Sequence, residues 1–200
     1  MPRAPQPAGR RERNKQLKLD RITAAARELF AEHGVDEVTT QQIAEAADIG
    51  TGTLFLYVKN KGELLLLVQN ALYAEVLERG RADAEKTPDV LEAVTAIVRP
   101  VVECNRTQVD NGRVYLREMV FGDPTEPRHH EALTIAGQTE EAIAAVLRRG
   151  ERIGTDHAAT LARVVSAVMF LTMAASVNAA ASAEEIVRDI RGQVAALLPR

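Results

Sequence analysis

Residues 21–67 read RITAAARELFAEHGVDEVTTQQIAEAADIGTGTLFLYVKNKGELLLL, and their pattern decides the fold. Ile22, Ala25, Ala26, Leu29 and Phe30 fall on one face at helical spacing, and Gly34 stands where a left-handed residue would end that helix. Thr39 opens a second helix as a capping box with Gln42 three residues on, and Ile43, Ala44 and Ala47 give it a small-residue inner face. Asp48 and Ile49 make a turn, after which Gly50 to Tyr57 reads as a third, short helix. Leu54 and Val58, four apart, face inward and leave Thr51, Thr53, Phe55, Leu56 and Tyr57 on or near the exposed side. That is more aromatic and apolar surface than an idle helix carries, so a partner surface is expected. Two short helices across a tight turn, the second held proud, make a helix-turn-helix whose last helix can meet base edges in a major groove.

The whole chain fits an all-helical frame around that motif. With 200 residues, 46% hydrophobic content, 4% aromatic and no Trp, it can bury a real core, and its abundant Ala favours packed helices over strands. One cysteine excludes an internal disulfide framework. No apolar run reads as a membrane span or a signal-peptide core, so no membrane partner is expected and the expected address is the cytoplasm.

A net charge of −3 looks unsuited to a polyanionic partner until it is divided along the chain. Residues 1–27 hold eight Lys and Arg against Glu12 and Asp20, a local +6, whereas residues 63–200 carry a net −5. Long-range attraction to phosphate therefore belongs to the N-terminal end. Three parts are expected: a flexible basic arm over 1–12, a helix-turn-helix domain over 13–62, and a helical domain over 63–200. In the arm, Pro2, Pro5, Pro7 and Gly9 break any periodicity. Arg10, Arg11 and Arg13 are placed either as solvated tail or as minor-groove and phosphate contacts.

From Glu63 the pattern predicts six longer helices: Leu64 to about Ala84, Asp89 to about Gln108 with a kink at Pro100, Arg113 to Phe121, Pro127 to about Glu151, His157 to Ala180, and Ala183 to Leu198. The fifth of these, around LARVVSAVMFLTMAASVNAAA, is apolar over much of its circumference. The last two helices are therefore expected to pack against a second copy, with Thr172 and Asn178 in or near a four-helix interface; a purely internal core helix is the other reading.

The phrase AAARELFAEHGVDEVTTQQIAEAADIGTGTLFLYVKNKGELL resembles the TetR family of bacterial transcriptional repressors. It follows that family's order without a gap: a helix-one Phe, Gly before the second helix, Thr-Thr, Ile-Ala, a turn, Gly-Thr-Leu-aromatic, Tyr, Lys, Leu. The resemblance covers residues 20 to 67, about a quarter of the chain. It implies an all-α homodimer with an N-terminal three-helix DNA-binding domain and a C-terminal bundle for ligand binding and dimerisation. By position it implies phosphate-contacting caps at Thr39 and Thr40, a base contact from Gln41, recognition contacts from Thr51, Thr53, Phe55 and Leu56, and phosphate-holding roles for Tyr57 and Lys61. The chemistry agrees, since Gln can pair bidentately with adenine, apolar groups pack on thymine methyls, and a Lys at a helix start adds charge to exposed amides. Two positions depart from the common pattern: Gly50 replaces a Ser cap, and Thr51 replaces a long polar residue. Specificity then leans more on Gln41, Phe55, Leu56 and DNA shape.

For the C-terminal part, VYLREMVFGDP places Tyr115, Met119 and Phe121 near Arg117 and Glu118, opposite the helix bearing Arg99, Glu103, Cys104 and Gln108. Tyr115, Met119 and Phe121 are the expected lining of a pocket for a small amphipathic effector. A core with an internal ion pair and gap-filling Met fits the same residues. His129 and His130 are adjacent and point apart, His33 and His157 sit at helix ends, and Cys104 reads as a buried small hydrophobe. No catalytic grouping, metal site or cofactor is expected. The sequence thus points to a homodimeric, ligand-responsive repressor of a palindromic DNA operator. The alternative is a DNA-binding protein without a small-molecule effector, controlled by a protein partner or acting architecturally.

Overall fold

In the computed structural model, which describes residues 9–150 and 153–199, every regular element is helical. Helices α1 (Arg10–His33), α2 (Thr40–Ala46) and α3 (Thr51–Leu54) form an N-terminal head. Helices α4 (Lys61–Glu85), α5 (Val90–Arg106), α6 (Val109–Phe121), α7 (Pro127–Leu147), α8 (Thr155–Ala174) and α9 (Ala183–Leu197) form a body, with a short 3₁₀ turn at Ser176–Asn178.

Local chemistry sets the head. Gly34 ends α1 at a φ of 80° and its N–H donates to the Phe30 carbonyl at 3.1 Å, a backbone turn that a side chain would strain. The Thr39–Gln42 capping box forms: the Gln42 N–H donates to Thr39 Oγ1 at 3.2 Å and the Thr39 N–H donates to Gln42 Oε1 at 2.8 Å. Asp48 takes a φ of 53° in the turn between α2 and α3, a left-handed conformation that Asp tolerates better than most residues.

The long α4 acts as a mast that contacts α1, α5, α6 and α7, while α8 packs on α7 and α9 and the last helix returns to α5. Gly80 brings α4 and α5 together so closely that a Cβ there would lie 3.0 Å from the Ile97 backbone. A contiguous set of buried apolar side chains runs from Ile22 through Phe30, Leu64, Ile97 and Leu147 to Val194, so head and body share one core.

Several boundaries differ from the sequence pattern. Helix α1 begins at Arg10, inside the stretch expected to be an arm, because the residues after Gly9 are good helix formers with no breaker among them. Residues 1–8 of that arm lie outside the described residues. The third helix is regular only over Thr51–Leu54 and tightens into a turn over Phe55–Tyr57, with Leu56 N–H donating to Thr53 O and Tyr57 N–H to Leu54 O. Helix α6 starts at Val109, four residues before the expected Arg113. Helix α7 stops at Leu147. Helix α8 stops at Ala174 because Ala175 turns extended and the Asn178 side chain donates to the Thr172 carbonyl at 2.9 Å. The helix α5 continues through Pro100 to Arg106. By length and composition α8 is long and apolar enough to cross a membrane, contrary to the sequence reading, since its charges sit in its first half. In this fold one side of it packs on α7 and α9.

Candidate nucleic-acid interface and its link to the body

The nine residues singled out for DNA contact all lie in the head or at its junction with α4. Thr39, Gln41, Phe55 and Leu56 are exposed, and Thr40, Thr51, Thr53, Tyr57 and Lys61 are half-buried. Phe55 and Leu56 expose 48% and 80% of their surface, which no folding force accounts for. The Thr39 hydroxyl already caps α2, and Gln41 Nε2 donates to Glu45 Oε1 at 2.9 Å, a contact that reading a base would exchange. Lys61 Nζ donates to the Asp36 and Val38 carbonyls, both at 3.1 Å, so it also ties down the loop between α1 and α2.

The first turns of α1 add a feature that an arm would lack. Residues 10–18 are exposed along a regular helix whose buried residues begin only at Ile22. Arg10, Arg11, Lys15 and Lys18 line an open groove of ≈ 910 Å³ whose other wall is Leu56 and Tyr57. A basic helix edge thereby runs directly to the segment after α3, placing positive charge beside the exposed apolar Leu56.

Behind this face, α6 grips the head. The Asn111 side chain is buried and bonds in both directions: its Oδ1 accepts from the Val35 N–H at 2.6 Å, and its Nδ2 donates to the Phe30 carbonyl at 2.7 Å. One residue on, Gly112 passes so close to α5 that a Cβ would meet the Asn105 carbonyl at 2.3 Å. Asn105 donates to the Tyr73 hydroxyl at 3.0 Å, Tyr73 stacks on Tyr115 with centroids 4.6 Å apart, and Tyr115 donates to Asn70 Oδ1 at 2.9 Å. Asn70 Nδ2 in turn donates to the Arg128 carbonyl on α7 at 3.0 Å. Burial pushes both phenols above their ordinary pKa, so both stay neutral, Tyr73 accepting and Tyr115 donating. A second tie is the Lys59–Glu126 ion pair, which joins the turn after α3 to the start of α7; the Glu126 hydrogen bond and charge raise the Lys59 pKa.

The three residues expected around an effector separate on α6. Tyr115 is buried in the ring stack, Met119 is half-buried against the core, and Phe121 is 80% exposed. Four residues of helix return to nearly the same face, whereas six carry Phe121 about 120° away. It borders a surface groove with Phe170 and Ala174 of α8. His129 is buried and His130 exposed, so the pair does point apart. Burial pushes the Cys104 thiol up to about 11, which keeps it protonated. Thr172 is buried within the chain, and Asn178 is half-buried beside it.

Residues 22–68 match the model for bacterial regulatory proteins of the tetR family. Over that segment the chain is similar to the TetR family. A fatty acid metabolism regulator protein of Bacillus subtilis is 28% identical over 86 residues, 43% of this chain and 44% of that relative, so the match spans less than half of the relative's length. A solved Thermus thermophilus FadR, a TetR-family repressor in complex with lauroyl-CoA, is 23% identical at a TM-score of 0.70, over 90% of this chain and 95% of that one. Bacillus subtilis FadR in complex with stearoyl-CoA is 15% identical at a TM-score of 0.65, over 90% of this chain and all 100% of that one. These two similarities establish the shared fold.

Sequence reasoning missed the joint rather than the head. The available signal was a pair of poor helix formers, Asn111-Gly112, set in a helical stretch, which is unusual unless their side-chain chemistry or small size is needed. Nothing in the pattern named Val35 and Phe30 as the partners, 76 and 81 residues away.

Proposed function

We propose that this chain is a homodimeric, ligand-responsive transcriptional repressor that binds a palindromic DNA operator and releases it when a small amphipathic effector occupies the body. The observation that carries the reading is the juxtaposition of exposed Phe55 and Leu56 with the basic edge Arg10–Lys18. In this reading Gln41, Thr51, Thr53, Phe55 and Leu56 address base edges, and Thr39, Thr40, Tyr57 and Lys61 hold the backbone. Residues 13–62 serve as the reading domain and 63–200 as the control and dimerisation domain, in the cytoplasm beside the DNA.

Dimerisation is supported by the outer face of α8. Val164, Val168 and Leu171 recur at spacings of four and three, and Val164 and Leu171 are 38% and 67% exposed. That spacing is the seam of a helix packed on another helix, so a second copy lying across α8 and α9 would cover it. Two heads then enter successive major grooves about 34 Å apart.

The relatives' lauroyl-CoA and stearoyl-CoA put fatty acyl thioesters first among effectors to try, with Tyr115 and Met119 as candidate neighbours. The test adds each compound to the full chain while following its melting temperature and its affinity for a duplex that it selects. A raised melting temperature with weakened duplex binding supports the proposal. An unmoved melting temperature across a lipophilic series favours the reading without a small-molecule effector.

A further inference from the structure

We propose that the cleft of ≈ 380 Å³ where α1, α4 and the α5–α6 corner meet binds a small amphipathic organic anion. Arg27 and Arg79 hold its head, and Phe30, Val68 and Leu72 pack on its tail. The binding claim stands on the cleft alone; its consequence for DNA rests on the regulator reading above.

The cleft has the size of a small-molecule site, with mostly apolar walls and a few convergent polar groups. Its two guanidinium groups come from different helices, and neither makes an ion pair among the described residues. The carboxylate at its rim, Glu103, lies 3.9 Å from Arg99 outside the cleft and forms no ion pair with Arg27 or Arg79. Two cations free of ion pairs among the described residues, set over an apolar trough, favour a molecule with one anionic end and one greasy end. Cys104 lines the trough as a neutral thiol: burial outweighs the opposing pull of Arg79 and Arg27 on its pKa.

The position gives occupancy a consequence. Phe30 and Asn111 both line this cleft, and they are the two sides of the joint through which α6 holds the end of α1. A ligand wedged against them acts on the head directly, with no need to transmit strain through the ring stack in the body. This location is separate from Tyr115, which lies buried against α4.

The test uses the full chain with decanoate as probe, decanol as its uncharged counterpart, and the R27Q/R79Q double variant, whose changed side chains are both exposed. Calorimetry is expected to show decanoate binding about ten-fold or more tighter than decanol, and about ten-fold or more weaker in the double variant. Saturating decanoate should also slow alkylation of Cys104, the chain's single thiol, which localises the ligand to this cleft. Equal affinity for decanol, unchanged affinity in a folded double variant, or full Cys104 reactivity at saturation would each overturn the proposal. Duplex release by the acyl thioesters without any decanoate binding would overturn the cleft and leave the regulator reading standing.

Discussion

The head and the body of this protein keep their working residues in opposite places. In the head, Gln41, Phe55 and Leu56 face outward, where the proposed DNA contact needs them. In the body, Asn70, Asn105, Asn111 and Tyr115 are buried, and each makes a side-chain hydrogen bond to another segment of the fold, although the Asn105 Oδ1 is left without a partner among the described residues. An exposed apolar residue is cheap to keep and is kept for a partner. A buried amide is costly unless paired, so the buried Asn residues mark where helices must hold one relative position. The two regions meet at Phe30, which belongs to the core of both.

The strongest attempt to break that shared core is Phe30→Ala. Its ring is 1% exposed, and truncation should cost about 3–5 kcal/mol, read by urea unfolding as one cooperative transition. Two separated transitions would show that head and body are independent. Asn111→Ala comes next: it strips the Val35 N–H of its partner and should cost about 1–3 kcal/mol, with faster hydrogen exchange at that amide. Unchanged exchange at Val35 would remove Asn111 from the joint.

How far the sequence revealed this division follows from the physics of each part. Helical periodicity placed Ile22, Ala25, Ala26 and Phe30 inside and Phe55 and Leu56 outside, because one helix carries its own inside and outside in its spacing. In the body the sequence reading grouped Tyr115, Met119 and Phe121 by closeness along the chain. That grouping ignored the turn of the helix between them, which leaves Tyr115 buried and carries Phe121 out to the surface. Helix ends in the body shifted where tertiary partners took over, as at Asn178 and Thr172. The buried Asn network was beyond reach because hydrogen-bond pairing across helices is a property of packing and leaves no local pattern. The basic run Arg10–Lys18 was legible as charge, yet its helical form was obscured by the Pro-rich residues before it.

Two gentler experiments sharpen the comparison. On the head, Gln41→Ala should relax preference at one base pair by about 1–3 kcal/mol. Lys15→Gln with Lys18→Gln should instead weaken every duplex alike and lower the salt slope by about two. The reverse pattern would exchange the reading and gripping roles. In the body, folding raises the Cys104 pKa, so the neutral thiol's contribution to stability is whole below pH 9.0 and fades as pH rises through about 11. Alkylation of the native chain should follow the same displaced profile, and a midpoint near 9.0 would mean that the thiol is solvated.

The most direct test of a DNA-reading head is selection of bound sequences from a random duplex pool by the full chain at near-physiological salt. The account predicts enrichment of a palindrome with half-sites about one helical turn apart, lost when Gln41, Phe55 and Leu56 are replaced together by Ala. Binding that enriches no motif and simply fades as salt rises would contradict it.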